Sequence, residues 1–287
     1  MGGVASGTFG FPALVWRHRT MLGSFVTREL RARFHGSALG FFWPLIQPAA
    51  LFAVYWFLFA RLLGMKLELA GGDPDATGES GFAVYLFSGI ILWSAFAEAV
   101  LRATGVVTEN GNLIKKMAFP SELLPCSVAI VALVMQVLSL IVYFAVAGIL
   151  GILPGPEALM LPLVLAVMAV FTVGLGLLVS AMQVFLRDTM HVTGIVMTFW
   201  MFLTPIFWFA DPVIMPPVAD YLDVLRLNPM LHLIDAWRIC LGVTTPSQAG
   251  GGLPWVELGR AAAAAGVTFL AGYAFFLKMK DRFADEV

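Results

Sequence analysis

Ionisable residues inside long apolar stretches are the first candidates for chemistry, because a charge among apolar side chains is costly and usually functional. Three pairs of opposite charge occupy such places, at adjacent or helical spacing: Glu98 with Arg102, Arg187 with Asp188, and Asp235 with Arg238. A structural ion pair explains each of them at least as well as a catalytic or proton-carrying group. The pairs therefore mark positions of interest and predict no reaction by themselves.

Metal, nucleotide and thiol chemistry have less support. The four histidines are scattered along the chain: His18, His35, His191 and His232. They form no close pair that would hold a metal ion. No lysine follows a glycine, so the phosphate-binding loop of nucleotide hydrolases is absent. Cys126 and Cys240 have neither metal-binding nor redox spacing, and we expect no cofactor on this chain.

The composition indicates that much of this chain is surrounded by lipid. Of its 287 residues, 60% are hydrophobic and 12% are charged, about half the charged share of soluble domains. The mean hydropathy is +0.89. A soluble core of this size cannot bury so much apolar surface, which excludes a soluble enzyme, a secreted disulfide scaffold and a disordered chain. The net charge of -1 gives no basic field that would attract nucleic acid.

The charge-free runs predict an all-α integral membrane protein with six transmembrane helices, a single domain over residues 1–287. A span needs about 20 apolar residues. The predicted spans are residues 36–61, 82–107, 123–152, 158–186, 189–210 and 255–277. With the N-terminus inside, twelve of the 17 lysines and arginines fall at cytoplasmic ends. The positive-inside rule therefore predicts that both termini are cytoplasmic.

Residues 16–34 are predicted to form an amphipathic helix on the cytoplasmic surface. Its apolar side chains recur at i+4 spacing and form one row: Leu22, Val26, Leu30 and Phe34. Its basic residues include Arg28, Arg31 and Arg33. A basic flank with no further role is the alternative.

The inner connection between the second and third spans, residues 108–121, is predicted to dock on a soluble partner. Asn110-Gly111 is a turn signal, and a short helix after it would place apolar side chains beside two lysines. The predicted coupling residues are Asn110, Gly111, Asn112, Leu113, Ile114, Lys115 and Lys116. A solvated basic loop is the alternative.

The outer connection before the last span, residues 212–253, is too long for a plain turn. Its apolar helical pattern is interrupted at Asn228-Pro229, which predicts two short re-entrant helices that form a gate in the outer leaflet. Irregular backbone at that depth needs polar partners from protein or water. An ordinary extracellular hairpin is the alternative.

Four stretches occur in an order and spacing that match a known family, and the resemblance extends over nearly the whole chain. They are RELRARFHGSALGFFWPLIQP (residues 28–48), NGNLIKKMAFPSELLP (110–125), VFLRDTMHVTGIVMTFWMFLTPIFW (184–208) and LNPMLHLIDAWRICLG (227–242). Together they resemble the permease subunit of polysaccharide-exporting ABC transporters of the Wzm/TagG type. In turn, they are similar to its amphipathic helix with the first span, its coupling loop, its fourth-to-fifth junction and its outer re-entrant segment.

The resemblance implies a channel-forming homodimer in a bacterial inner membrane, with two copies of a cytoplasmic ABC ATPase that binds ATP and Mg. Lipid-linked polysaccharide, above all O-antigen, would pass along the dimer axis. The coupling helix would transmit the motion of the ATPase. Arg28, Arg31 and Arg33 would attract the anionic head group of the substrate, or membrane lipids in general. The implied channel or gate residues are Trp200, Phe202, Phe207, Trp208, Asn228 and Pro229, with plain packing as the alternative for the aromatic ones.

Two other functions stay open. A membrane-embedded glycosyl- or acyl-transferase acting on lipid-linked sugars would need a catalytic side chain at a span end, and Asp188, His232 and Asp235 are the available positions. A permease of the same architecture would instead export a drug or a lipid. The resemblance favours the polysaccharide permease, with no enzyme activity on this chain.

Overall fold

The computed structural model describes residues 10–37, 39–64, 67, 80–116, 120–152, 154–248 and 252–286. Every regular element in these ranges is helical. Helices satisfy their backbone hydrogen bonds internally, as an apolar chain in lipid requires. The all-α prediction is therefore confirmed for the described ranges. Residues 117–119 of the predicted coupling loop and 249–251 of the predicted gate lie outside them.

The α-helices of the described ranges are numbered in chain order. They are α1 (Phe11–Arg17), α2 (Arg19–Phe34), α3 (Trp43–Tyr55), α4 (Gly81–Glu109), α5 (Gly111–Lys116), α6 (Leu123–Ile149), α7 (Leu161–Phe185), α8 (Thr189–Leu203), α9 (Leu222–Leu225), α10 (Pro229–Cys240), α11 (Trp255–Met279) and α12 (Phe283–Glu286). The predicted surface helix is thus divided at His18 into α1 and α2. The helix α3 continues as a π-helix over Trp56–Leu62.

Five of these helical stretches are long and apolar enough to cross a membrane: Trp43–Leu62, Gly81–Glu109, Leu123–Ile149, Pro156–Phe185 and Trp255–Glu286. The predicted fifth span, residues 189–210, is shorter than expected because α8 ends at Leu203. Its 15 residues rise about 22 Å, less than the hydrocarbon core of about 30 Å. A count of six spans therefore stays a prediction.

A proline explains the early end of α8. Pro205 follows directly after Thr204, and a proline disfavours helical backbone in the residue before it. It also lacks the N–H that would continue the helix. Thr204 accordingly has extended backbone, with φ -97° and ψ 139°.

The helix α4 forms the centre of the molecule. Among the 18 most apolar consecutive residues of this helix, 72% are buried inside the protein. The corresponding buried share for Trp43–Leu62 is 6%. It packs against α3, α6, α7, α8 and α10. The large apolar residues of α4 therefore build the main core, and α3 remains at its periphery.

Two glycines allow α7 and α11 to pack with their backbones in contact. A Cβ atom added at Gly174 of α7 would lie 2.6 Å from the Phe269 Cα atom of α11, and one added at Gly272 would overlap the Gly174 carbonyl. Small residues at helix crossings are how membrane helices approach closely. The last span is thereby held against the fourth.

Candidate functional site

The helix α2 lies against α6 with part of its predicted apolar row. Leu22 is buried in a cluster with Leu123 and Cys126, and Val26 packs at the edge of that cluster. The apolar row is therefore a packing surface inside the protein. It holds α2 beside the start of α6.

A group of polar residues joins α2, α4 and the start of α5, and we call it the inner belt: Arg28, Glu29, Arg33, Glu98, Arg102, Glu109 and Asn110. The Nε atom of Arg102 lies 2.6 Å from Glu29 Oε1, and its Nη1 atom lies 2.6 Å from Glu109 Oε2. Arg33 pairs with Glu98. The ion pairs between α2 and α4 are Arg33 with Glu98 and Glu29 with Arg102. On each helix the two paired residues are one turn apart, and their order shows that the two helices run antiparallel.

The inner belt corrects the predicted pairing of Glu98 with Arg102. Their i, i+4 spacing on α4 would permit contact, but α2 crosses that face. It presents Arg33 to Glu98 and Glu29 to Arg102. Burial at this crossing lowers the pKa of Arg33, while the negative charge of Glu29 opposes that shift.

One hydrogen bond joins two sites that the sequence analysis treats separately. The Nη2 atom of Arg28 donates to Asn110 Oδ1 at 2.9 Å. Asn110 in turn donates its Nδ2 to the Val106 carbonyl at 2.8 Å, at the end of α4. A basic residue of α2 is thus bonded to the first of the predicted coupling residues. Arg31 is exposed.

The short helix α5 covers residues 111–116 of the predicted coupling segment. The Asn110 carbonyl accepts a hydrogen bond from Leu113 N at 3.0 Å and so starts the helix. Two side chains of α5 are exposed, Asn112 and Lys115, and two are half-buried, Leu113 and Ile114. The exposed side of this helix is free for a soluble partner. The side chain of Lys116 lies outside the described part of the protein.

At the other end of the molecule, Asn228 connects α8 to α10. Its Oδ1 atom caps α10 by accepting from Met230 N at 3.0 Å, and it also accepts from Trp200 Nε1 at 2.8 Å. Its Nδ2 atom donates to Thr204 Oγ1 at 3.0 Å. Pro229 occupies the first turn of α10, where its missing N–H has no cost. The interruption predicted at these two residues is therefore a helix cap that also holds the end of α8.

Arg238 of α10 fixes the same segment from inside the protein and is 2% exposed. Its guanidinium donates to four acceptors: Pro205 O at 2.6 Å, Tyr85 O at 3.2 Å, Ile206 O at 3.4 Å and Ser88 Oγ at 3.4 Å. It also lies 3.5 Å from the centroid of the Tyr85 ring, a cation–π contact. A Cβ atom at Gly89 would lie 2.7 Å from Arg238 Nη2, so Gly89 makes room for the guanidinium.

We call this group the outer hub: Tyr85, Ser88, Gly89, Pro205, Ile206, Asn228 and Arg238. The predicted pair of Asp235 with Arg238 is present as an electrostatic interaction between the two charges, whereas the described hydrogen bonds of the guanidinium go to Tyr85, Ser88, Pro205 and Ile206. Backbone carbonyls at and beyond a helix end lack helical donors. Because α8 ends before Pro205, the carbonyls of residues 205 and 206 take up the guanidinium N–H groups.

The predicted channel aromatics fall into two environments. Trp200 packs inside the protein, with ring centroids 5.9 Å from Trp93, 5.7 Å from Phe96 and 6.0 Å from Phe171. Phe202 is 59% exposed. The residues beyond α8 lie beside it: Phe207 stacks on Phe202 at 5.7 Å, and Trp208 Nε1 donates to the Phe202 carbonyl at 2.9 Å. Phe202 thus faces outward from the protomer, whereas Trp200 belongs to its core.

The residues that a transferase would need are not brought together. Asp188 precedes the first residue of α8, whereas His232 and Asp235 lie on α10, which is bonded to the far end of α8. The Nε2 atom of His232 is hydrogen-bonded to the Arg226 carbonyl at 2.8 Å. Among the described residues, no group of three or more His, Cys, Asp or Glu side chains is placed to hold a metal ion.

Several residues of these sites give no signal in the sequence. Glu29 and Glu109 lie outside the charge pairs that local spacing indicates, and Gly89 resembles any glycine of a membrane helix. The C-terminal residues Lys280 and Phe283 contact the coupling connection from a distance of more than 150 positions in the sequence. Local spacing reports neighbours within about one turn of a helix. Glu29, Lys280 and Phe283 make contacts between helices, and Glu109 lies seven residues from Arg102 on α4.

Comparison with known proteins places these features in a family. A family model described as ABC-2 type transporter matches residues 21–241. An O-antigen export system permease protein RfbA of Myxococcus xanthus is 28% identical over 230 residues, which cover 78% of this chain and 81% of that protein. A protein of the same name from Klebsiella pneumoniae is 21% identical over 259 residues, covering 90% of this chain and 91% of that protein.

The family match extends from α2 to residue 241, immediately after α10. It therefore includes the inner belt, the coupling helix and the outer hub. Because the match covers more than three quarters of the residues, it describes the chain as a whole. The chain belongs to the ABC-2 type transporter family and is a membrane permease of an ABC transporter.

Proposed function

We propose that this chain is the channel-forming permease subunit of an exporter of lipid-linked polysaccharide, with O-antigen as its substrate. The names of the relatives support this substrate, and the alignments cover 81% and 91% of those two proteins. The proposal rests on two features taken together. The coupling helix α5 is exposed at one end of the molecule, and the outer hub surrounds the end of α8 at the other. ATP hydrolysis, with ATP and Mg, takes place on a separate subunit.

The coupling helix α5 is the proposed docking element for that ATPase. Its exposed Asn112 and Lys115 face outward, and Arg28 and Asn110 bond its start to α2. A displacement of α5 is therefore transmitted to α2 as well as to α4. Rigid-body motion of this kind is a common way to change access to a channel.

Shortening the segment 110–116 tests the coupling role. We expect the shortened permease to assemble in the membrane but to lose export and the stimulation of ATPase activity. A Leu159→Ala variant, at a residue that is 85% exposed on the outer side, is the matched control and should keep both. If export and stimulated ATPase activity survive the shortening, the coupling role is wrong.

Two copies of the chain are proposed to form the channel, with two ATPase subunits below them. Exposed apolar side chains of α8 support this arrangement, because they recur at helical spacing on one face: Val192, Ile195, Val196, Phe199, Phe202 and Leu203. Aromatic faces at Phe199 and Phe202 are suited to stacking on sugar rings. Cross-linking of a cysteine introduced at Phe199 to its copy in the second protomer tests this face; no cross-link in an active exporter contradicts it.

The head group of the lipid-linked substrate is proposed to bind near Arg31 and Arg33, at the inner end of α3. Arg33 and Glu98 line two adjoining cavities, of 310 Å³ and 440 Å³, between α2, α3, α4 and α6. A phosphate group brings more negative charge and more acceptor oxygens to a guanidinium than a carboxylate does. It would therefore compete with Glu98 for Arg33.

Charge reversal tests whether Arg31 and Arg33 of α2 bind the head group. We expect Arg31→Glu and Arg33→Glu to reduce substrate-stimulated turnover, and Arg17→Glu on α1 to serve as the control. Unchanged turnover in the first two variants would contradict the head-group role.

Both termini are proposed to be cytoplasmic in a bacterial inner membrane. Labelling of a cysteine introduced at Ala284, from either side of the membrane, tests this orientation.

A further inference from the structure

The C-terminal segment Lys280–Glu286 folds back beneath the coupling helix. After α11 the chain makes a 3-10 turn over Lys280–Arg282 and enters α12, which packs against α5. Phe283 is 0% exposed. Its ring centroid lies 5.1 Å from that of Phe276 and 6.2 Å from that of Phe185, and Ile114 of α5 packs against the same cluster. Phe283 thus joins α5 to the inner ends of α7 and α11.

The same segment also holds the far end of the coupling connection. Lys280 Nζ lies 2.7 Å from Glu122 Oε1, immediately before α6. The Glu122 side chain is 1% exposed, whereas that of Lys280 is 37% exposed. A buried carboxylate depends strongly on its partner. The C-terminal segment therefore contacts α5 on one side, through α12, and Glu122 on the other, through Lys280.

These contacts matter because α5 cannot fix its own orientation. It has six residues, and isolated helices shorter than about 12 residues are unstable in water. At its start it is held by the Asn110 hydrogen bonds to Val106 and Arg28. Beyond that point, the described packing of its apolar side is on the cluster that contains Phe283.

We propose that Lys280–Glu286 is a clamp that sets the orientation of the coupling helix, with Phe283 and Lys280 as positioning residues for ATPase coupling. The proposal rests on the proposed docking role of α5. Phe283 belongs to the cluster on which Ile114 packs, and Lys280 anchors the chain immediately before α6. A motion imposed on α5 is thereby delivered to α7 and α11 as well as to α4.

The first test uses the permease without any ATPase. Spin labels are attached to cysteines at Lys115 and Ala284, both exposed, and labelled protomers are diluted with unlabelled ones. The native Cys126 and Cys240 are buried, so they react little. We expect a narrow distance distribution that broadens in Phe283→Ala and stays narrow in Phe283→Leu, which keeps most of the apolar volume.

A matched control removes a buried phenylalanine elsewhere. Phe82→Ala, at the outer start of α4, should leave the distance between the two labels unchanged. The double variant Lys280→Met with Glu122→Gln should recover the narrow distribution that Lys280→Met alone loses, because no unpaired buried charge remains. An unchanged distribution in both Phe283→Ala and Lys280→Met overturns the clamp, whatever the function of α5.

The second test adds the ATPase. We expect Phe283→Ala to retain the ATPase on purification while its stimulated activity falls about fivefold or more, the usual range for coupling between two sites. Phe283→Leu should restore that activity. If Leu113→Asp on α5 abolishes stimulation while Phe283→Ala does not change it, the docking role stands and the clamp is wrong. If Leu113→Asp has no effect, the docking role itself fails, and the label distances alone decide the clamp.

Discussion

The inner belt and the outer hub join helices by opposite means. In the inner belt both partners are charged and partly exposed: the side chains of Glu29, Arg102 and Glu109 are 22%, 38% and 50% exposed. In the outer hub the buried Arg238 donates its hydrogen bonds to uncharged acceptors, and its charge also interacts with that of Asp235. Exposed ion pairs contribute about 0–1 kcal/mol and are screened by salt. Buried polar groups left without a partner cost about 1–3 kcal/mol each.

This difference assigns the two regions different parts in transport. Exposed ion pairs contribute little free energy and are screened by solvent, so they rearrange easily. The inner belt is therefore suited to move together with the ATPase. Contacts that are costly to break keep their geometry, so the end of α8 and α10 should move as one body. Variants of the outer hub should therefore affect stability most, and variants of the inner belt should affect activity.

Arg238→Met should be the most damaging change. The carbonyls of Tyr85 and Pro205 would lose a charged donor inside the protein, and we expect the free energy of unfolding to fall by about 3 kcal/mol or more. Chemical unfolding in detergent micelles measures this. Arg226→Met, at an arginine whose side chain is 54% exposed, is the control and should stay within about 0.5 kcal/mol of the unaltered protein. Equal effects would show that the hub is not a stability centre.

Gly89→Ala should disturb the hub without removing any donor. The added Cβ atom would lie 2.7 Å from Arg238 Nη2, and overpacking of this kind costs about 1–3 kcal/mol. Gly266→Ala on α11 is the matched control, since a Cβ atom there meets nothing within 4 Å. It should be neutral or slightly stabilising by up to about 1 kcal/mol. The same unfolding measurement decides, and a neutral Gly89→Ala would contradict the tight fit.

Arg102→Gln should affect activity more than stability. We expect the free energy of unfolding to change by less than about 1 kcal/mol, because the lost ion pairs are exposed. The stimulation of ATPase activity should fall about fivefold or more if the belt carries the coupling. Arg187→Gln, at an exposed residue beside α8, should leave stimulation unchanged. A large loss of stability with normal stimulation would reverse the roles of the two regions.

The smallest effect is expected for Arg28 and Asn110. A double-mutant cycle with Arg28→Ala and Asn110→Ala should give an interaction free energy of about 0.5–1 kcal/mol. Arg31→Ala with Asn110→Ala is the control cycle and should be additive within about 0.5 kcal/mol. Both cycles are measured by chemical unfolding at low salt. An additive first cycle would remove the direct link between α2 and α5.

The positions of the helices were largely predictable, because a membrane span appears in the sequence as a run without charged residues. The runs 82–107, 123–152 and 255–277 correspond to Gly81–Glu109, Leu123–Ile149 and Trp255–Met279. Apolar length is a local property, so a single sequence contains it. The fifth span was predicted too long because its apolar run continues past Pro205, where the helix cannot continue.

The contacts within the site were much less predictable. Local spacing paired Glu98 with Arg102 and Asp235 with Arg238. The direct hydrogen-bond and ion-pair partners in the structure are instead residues of another helix, Glu109 two turns away on α4, or backbone carbonyls. Backbone acceptors leave no trace in residue types. Asn228 is the exception, because a polar residue before a proline inside an apolar pattern is a recognisable helix start.

Hydrogen exchange of the assembled transporter tests the division between the two regions most directly. Exchange is compared with and without a non-hydrolysable ATP analogue, in peptides covering α2 with α5 and in peptides covering residues 204–208 with α10. Amide exchange reports local opening of helices. We predict that ATP changes exchange in α2 and α5 and leaves residues 204–208 and α10 unchanged. A larger change in the outer peptides than in the inner ones would contradict a mobile inner belt and a rigid outer hub.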